Sequence, residues 1–196
     1  MTAAQAQIAR ALGAHASVLP MSEDRVRTRV LTTRGWRGLQ EYLILDHAEA
    51  PIEGVELDGI AEARPSPEVL EALAAAEAVI VRPSNPVISI GPILAVPGMR
   101  EAMAAAPGPV VAVSPLVGGR AVKGPTDAFI ASLGRPVSAA GVASLYQGLL
   151  DGMVVDEGDP DPPPDDVPTL SCPTLMEGAD GRRTLAARVL EFAREL

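Results

Sequence analysis

Aromatic side chains make up only 3% of this 196-residue chain, with one Trp, two Tyr and two Phe. So few rings argue against a base-stacking surface for RNA or single-stranded DNA. They also leave the core to Val, Ile, Leu, Ala and Met. Cysteine is rarer still. Cys172 stands alone, which excludes an intrachain disulfide and a cysteine-cluster metal site, and with no activating neighbours it reads as a packed thiol. The two histidines, His15 and His47, have no metal-ligand spacing and suggest no nucleophile–His–acid arrangement. Basic residues are the minority, 16 against 25 acidic ones, for a net charge of −9. That balance disfavours a nucleic-acid or anionic-membrane partner. A nucleotide ligand stays open, because backbone amides and one or two cations suffice to hold a phosphate. No secretory leader begins the sequence and no apolar run approaches about 18 residues, so the expectation is a soluble, cytoplasmic protein.

Hydrophobic residues amount to 47%, the composition of a globular chain rather than a disordered one. The length fits one domain, 1–196. Residues 3–12 read as a helix, with Thr2 as N-cap and Gly13 as stop, and 16–19 as a short strand. Apolar and polar residues alternate through 26–32, and Thr33-Arg34-Gly35 forms a turn. The stretch 20–60 is therefore read as a β-rich excursion, with a hairpin through Leu45 and an edge strand at 55–57. From Pro67 onward helix and strand alternate. Helices are expected at 68–76, 99–106, 126–133, 139–150 and 182–196, and strands at 78–81, 109–113 and 153–155. The Asp/Pro-rich stretch 156–168 is expected to be an exposed loop. Strands alternating with helices imply parallel βαβ units and an α/β fold with a Rossmann-like three-layer core. Such domains usually open with a strand running into a glycine-rich loop, whereas this sequence opens with a helix. The first half of a doubly wound unit is not in view.

The richest chemistry lies in PSNPVISIGPILAVPG (83–98) and PVVAVSPLVGGRAVKGP (109–125). Each follows a buried strand and is rich in small, hydroxyl-bearing, Pro and Gly residues. In a parallel sheet such loops stand at the carboxyl ends of strands, where ligands bind. Ser84, Asn85 and Ser89 offer groups for a phosphate or ribose, and Gly91 permits close backbone approach. A helix beginning near Ser89 would aim amides at an anion. The same residues also make ordinary turns and N-caps. Ser114, Gly118, Gly119 and Lys123 have the composition of a phosphate loop without the spacing of the G-x-x-x-x-G-K-[ST] pattern. They read either as an anion cradle with Lys123 as cation or as a loop with a solvated lysine. Asp24, Arg27 and Arg29 read as an ion-pair network or as phosphate contacts, the solvated face being favoured. Asp127 and Asp151 are candidate metal or base groups, although a carboxylate in a helix's first turn, as at Asp127, needs no such role.

Together with PMSEDRVRT (20–28), GWRGLQEYLI (35–44) and GVASLYQGLLDGMVVDE (141–157), these loops resemble the 2-phospho-L-lactate transferase family of coenzyme F-420 biosynthesis. The resemblance implies transfer of a phospholactyl or phosphoenolpyruvyl group from a guanosine-diphosphate-linked donor to the deazaflavin precursor Fo. GMP is released and Mg²⁺ assists, as phosphoryl transfer generally requires. By motif matching it implies that Ser84, Asn85, Ser89 and Gly91 lie by the donor nucleotide. Ser114, Gly118, Gly119 and Lys123 complete the cradle, and Arg27 approaches the same site. The family's opening strand, its glycine-rich loop and the acidic residues associated with metal and acceptor have no counterpart here. The Mg²⁺ ligands, and any catalytic acid, are therefore expected elsewhere. Glu23 stands where the family usually has Asp, and Arg82 adds positive charge before the PSNP loop. Expected partners are the donor and Fo, with either a homodimer or association with an N-terminal portion at the unpaired sheet edge. A non-catalytic or split-protein fragment is the alternative, as is a regulatory nucleotide-sugar-binding protein of the related transferase-like family.

Overall fold

The computed structural model describes residues 2–196. Four short strands, β4 (Val79–Val81), β5 (Val110–Val113), β8 (Gly152–Asp156) and β9 (Thr169–Cys172), form one parallel sheet in the order β4-β5-β8-β9. Val79 pairs with Val110, Val111 with Gly152 and Met153 with Thr169. Side chains alternate across a strand, so successive residues feed opposite layers. Val110, Ala112, Met153 and Val155 join a core with α4 (Met99–Ala104), α5 (Thr126–Ser132) and α6 (Ala139–Leu145) through Met99, Met103, Ile130 and Val142. Val111, Val113, Val154 and Cys172 face the other way onto Leu185, Val189 and Ala193 of α7 (Gly178–Glu195). This is the three-layer α/β arrangement expected, and Cys172 is a buried core thiol.

The excursion is a separate antiparallel sheet in the order β2-β1-β3, made of β1 (Arg27–Thr32), β2 (Gly35–Gly38) and β3 (Ile52–Asp58). Between β2 and β3 the chain makes a π-helical turn, Glu41–Leu45, so the hairpin's return strand stops at Gly38 instead of continuing to Leu45. Val30, Tyr42 and Ala50 pack around Phe129 of α5 and tie this sheet to the core. The remaining helices are α1 (Thr2–Ala11), α2 (Pro67–Ala74) and α3 (Gly91–Ala95). Among the described residues no helix is long and apolar enough to cross a membrane.

Several local expectations are corrected. Residues 16–19 are not a strand: Val18 is 47% exposed and no neighbour pairs with it. α6 ends at Leu145 rather than 150, where Tyr146 closes it with a backbone bond to Ala143. α7 begins at Gly178, four residues earlier than the apolar periodicity indicates. The 156–168 loop begins one residue later, because Asp156 is the buried end of β8. β9 is missing from the sequence expectation. Its Thr-Leu-Ser-Cys alternates polar and apolar residues, as an edge strand does, and lacks the continuous apolar run that marks β4 and β5.

Candidate functional site

The carboxyl ends of β4, β5 and β9 open into a cleft of about 570 Å³. Ser84 and Asn85 enter from the loop after β4, and Ser114 from the end of β5. Lys123 comes from the stretch between β7 (Arg120–Ala121) and α5, and Thr126 is the first residue of α5. Thr174, Leu175 and Met176 follow β9, while Leu43 and Val122 complete an apolar rim. Most of this lining was legible as strand-end loops, in 83–98 and 109–125. The Thr174 wall was not, because the strand leading into it was missed.

Five of the sequence candidates line the cleft: Ser84, Asn85, Ser89, Ser114 and Lys123. Lys123 is exposed and pairs with no carboxylate among the described residues. No lining residue is acidic, so the local field favours an anion despite the chain's net charge of −9. Ser114 is 1% exposed, and its Oγ accepts from the amide of Leu116 at 3.2 Å, which leaves its proton available.

Asn85 has an architectural task as well. Its Oδ1 accepts from the amides of Val87 (2.8 Å) and Ile88 (3.0 Å), capping the π-helical segment Pro86–Ile90. Its Nδ2 donates to Thr126 Oγ1 at 3.3 Å, joining two cleft walls. The helical segment therefore starts at Pro86, three residues before the start expected near Ser89. Asn85→Ala should cost about 1–2 kcal/mol, the usual value of a lost cap. Asn85→Asp keeps the capping oxygen and should cost much less. Urea denaturation of both variants checks this.

The other four candidates stand elsewhere. Gly91 borders a separate apolar groove, and its missing side chain serves packing: a Cβ there would lie 3.0 Å from the carbonyl oxygen of Pro86. Arg27 lies in a third groove with Arg25, Arg29 and Glu41. Gly118 and Gly119 form the two-residue turn between β6 (Leu116–Val117) and β7, with φ of +60° and +78°. Positive φ at both positions is the geometry of a tight β-hairpin, for which Gly-Gly is well suited. Their amides are already taken. Gly118 donates to Asp156 Oδ1 at 3.2 Å and Gly119 to Asp159 Oδ1 at 2.7 Å. The cradle composition is real, but the anions in it are the chain's own carboxylates.

The other acidic candidates are also engaged with backbone. Asp127 accepts from the Ala121 amide at 3.0 Å, Asp151 from Val110 at 2.8 Å and Asp24 from Arg64 at 2.9 Å. Glu23 accepts from the amide of Thr2 at 2.7 Å. Arg29 stacks over Trp36, 4.9 Å from the ring centroid, and pairs with Asp58 at 3.8 Å. Among the described residues no three His, Cys, Asp or Glu side chains come together as a metal ligand set. With an acid-free cleft wall, the residues present do not by themselves make a Mg²⁺ site.

A phosphoenolpyruvate transferase of Kitasatospora aureofaciens is 48% identical over 147 residues, covering 72% of this chain and 46% of the relative. A 2-phospho-L-lactate transferase of Methanosarcina mazei is 41% identical over 159 residues, covering 81% and 52%. The chain thus spans about half the length of the curated relatives it matches. Among solved structures, a UPF0052-family protein of Bacillus halodurans superposes with a TM-score of 0.63 at 18% identity, over 92% of this chain and 64% of that one. At that identity the likeness concerns the fold alone. The family model described as 2-phospho-L-lactate transferase CofD matches residues 1–166, which include every strand-end loop of the cleft except the one after β9, and the chain belongs to that family.

Proposed function

We propose that this chain carries the donor-binding part of a phospholactyl or phosphoenolpyruvyl transfer from a guanosine-diphosphate-linked donor to the hydroxyl of Fo, in coenzyme F-420 biosynthesis. One observation supports this above the others. The two loops that follow β4 and β5 meet in one cleft, with hydroxyl and amide groups on its walls, one unpaired lysine and no acid. That is a suitable lining for a diphosphate. The relatives' names, a phosphoenolpyruvate transferase and a 2-phospho-L-lactate transferase, support the group transferred. In the reaction, the acceptor oxygen forms a bond to the phosphorus that carries the acyl-derived group. The P–O bond to GMP breaks, and the acceptor's proton is lost. Lys123 neutralises charge on the diphosphate, where a cation is worth most as the leaving group departs. Ser84, Ser89 and Ser114 orient its oxygens. The apolar rim of Leu43, Val122, Leu175 and Met176 keeps water from the diphosphate.

Calorimetric titration with GDP, with UDP as control, tests this. Selective GDP binding is expected. Lys123→Ala should weaken it about tenfold or more, the usual value of a charge-assisted contact. A folded chain that binds neither nucleotide overturns the reading, and a preference for UDP transfers it to the nucleotide-sugar-binding alternative.

A further inference from the structure

β8 ends on Asp156, which is only 8% exposed. Both of its oxygens are fully used. Oδ1 accepts from the amides of Gly118 at 3.2 Å and Gly158 at 3.0 Å. Oδ2 accepts from the amide of Thr174 at 2.9 Å and from its hydroxyl at 3.0 Å. Burial pushes this carboxyl up, but the four hydrogen bonds outweigh it and hold the group below the usual carboxylate range. The anion is the form this pocket is built for.

The partners belong to two different walls of the cleft. Gly118 heads the hairpin that leads to Val122 and Lys123, and Thr174 begins the wall that continues through Leu175 and Met176. These walls are 56 residues apart in sequence, taking Gly118 and Thr174 as their markers. Among the described residues no strand pairing joins them: β6 pairs with β7, and β9 with β8. The hairpin is fastened a second time, where Gly119 donates to Asp159 at 2.7 Å. The other oxygen of Asp159 is buried without a partner. Burial pushes that carboxyl up, and the neighbouring charges of Asp156 and Asp161 add to the effect. Among the described residues, Asp156 alone accepts hydrogen bonds from both walls.

We infer that Asp156 is a positioning residue, one carboxylate at the end of a core strand that sets the spacing between the Lys123 wall and the Thr174 wall for a diphosphate-bearing ligand. The inference rests on the donor-binding reading for the identity of the ligand, and on geometry alone for the brace. An asparagine cannot replace this carboxylate. It has one accepting oxygen, so its NH₂ must face amide donors on one wall or the other, and that wall is released.

Amide hydrogen exchange and GDP titration of Asp156→Asn, Thr174→Val and Asp151→Asn form the test. Asp156→Asn should speed exchange about tenfold or more in residues 117–123 or in 174–176, whichever stretch its NH₂ faces, and weaken GDP by a similar factor. Thr174→Val removes only the hydroxyl bond, so it should loosen 174–176 alone and weaken GDP a few-fold; it carries the test if Asp156→Asn fails to fold. Asp151 also accepts a strand amide, from Val110, but does not line the cleft. Its single donor needs only one accepting oxygen, so Asp151→Asn should lower stability slightly, through the lost charge alone, and leave GDP affinity unchanged, which separates positioning from the general loss of a carboxylate. Unchanged exchange in both walls overturns the brace. Loosened walls with unchanged GDP affinity overturn its role in binding. If the native chain binds no GDP, the donor reading falls and the exchange measurement alone decides the brace.

Discussion

Gly108→Ala should cost about 3 kcal/mol or more of folding free energy, although glycine-to-alanine is the smallest change available. A Cβ at this position would lie 2.1 Å from the carbonyl oxygen of Glu77, 2.2 Å from its carbon and 2.7 Å from the nitrogen of Ala78. All three are backbone atoms, so no rotamer change relieves the overlap. Gly108 also donates to Ala76 at 3.1 Å, and the adjacent Pro109 carbonyl accepts from Val79 at 2.9 Å, the first rung of the β4–β5 ladder. Relief requires β4 to move away from β5, which breaks those bonds and uncovers Val79 and Val110. Overpacking that displaces backbone lies at the upper end of single-residue effects, against a total stability of about 5–15 kcal/mol for an ordinary domain. Gly152→Ala is the informative control. Its Cβ would be as close as 2.6 Å to Leu196 Cδ1 and 2.8 Å to Phe192 Cε1, but these are side-chain ends near the end of α7 and can swing aside. About 1 kcal/mol is expected there. Urea midpoints of the two variants should differ clearly, and equal midpoints would mean that the 76–78 turn yields as readily as a side chain. The loops after β4 and β5 form the cleft, so Gly108→Ala should also weaken GDP binding when measured on the fraction still folded.

Which parts of this architecture the sequence disclosed follows from where each signal is local. β4 and β5 are short apolar runs ending in Ser, Asn, Pro and Gly, and a parallel sheet buries such runs on both faces. Strand and strand-end loop could therefore be read together, and Ser84, Asn85, Ser114 and Lys123 do share a cleft. Thr174 was missed because β9 carries no such run: its membership of the sheet is decided by pairing with β8. Gly118 and Gly119 show the opposite case. Leu-Val-Gly-Gly-Arg-Ala is a hairpin signal by spacing, but the composition of the neighbouring residues favoured an anion cradle. The carboxylates that fill it, Asp156 and Asp159, stand about forty residues further on in a stretch whose prolines and aspartates read as solvent-exposed loop. Arg27 is implied near the cleft by motif matching alone, and the structure sets it in a separate groove. Alternation identifies which residues share a face of β1, but not which groove that face borders once the 27–58 sheet is docked.

How that sheet is docked leads to the second large effect. Phe129→Ala should cost about 3–5 kcal/mol, the usual range for emptying a fully buried aromatic site. Phe129 is 0% exposed and meets Tyr42 edge-on, with ring centroids 6.0 Å apart and planes at 83°. Tyr42 is 0% exposed too, and its hydroxyl donates to the carbonyl of Ala50 at 3.0 Å. The two rings join α5 to the excursion, with Val30 and Ala50 around them. Behind the same contact lie Leu43 and Ile88, both of which line the cleft. The loss should therefore be uneven. The 27–58 sheet has its own hydrogen-bonded ladder and shares its core with α5 and with Val87 and Ile88 of the π-helical segment Pro86–Ile90. Phe129 is the one fully buried side chain that α5 gives to that core, so a cavity there weakens its attachment before it weakens the β4-β5-β8-β9 sheet. Trp36, the only tryptophan, sits on β2 beneath Arg29 and reports on that attachment. In Phe129→Ala its fluorescence should change at lower urea than the far-ultraviolet circular dichroism, whereas the parent chain should give coincident curves. Phe129→Leu, which refills most of the volume, should restore coincidence at a cost of about 1 kcal/mol. Coincident curves in Phe129→Ala would mean that the excursion and the parallel sheet unfold as one unit, in which case Tyr42 and Phe129 belong to the core that holds the cleft rather than to a joint beside it.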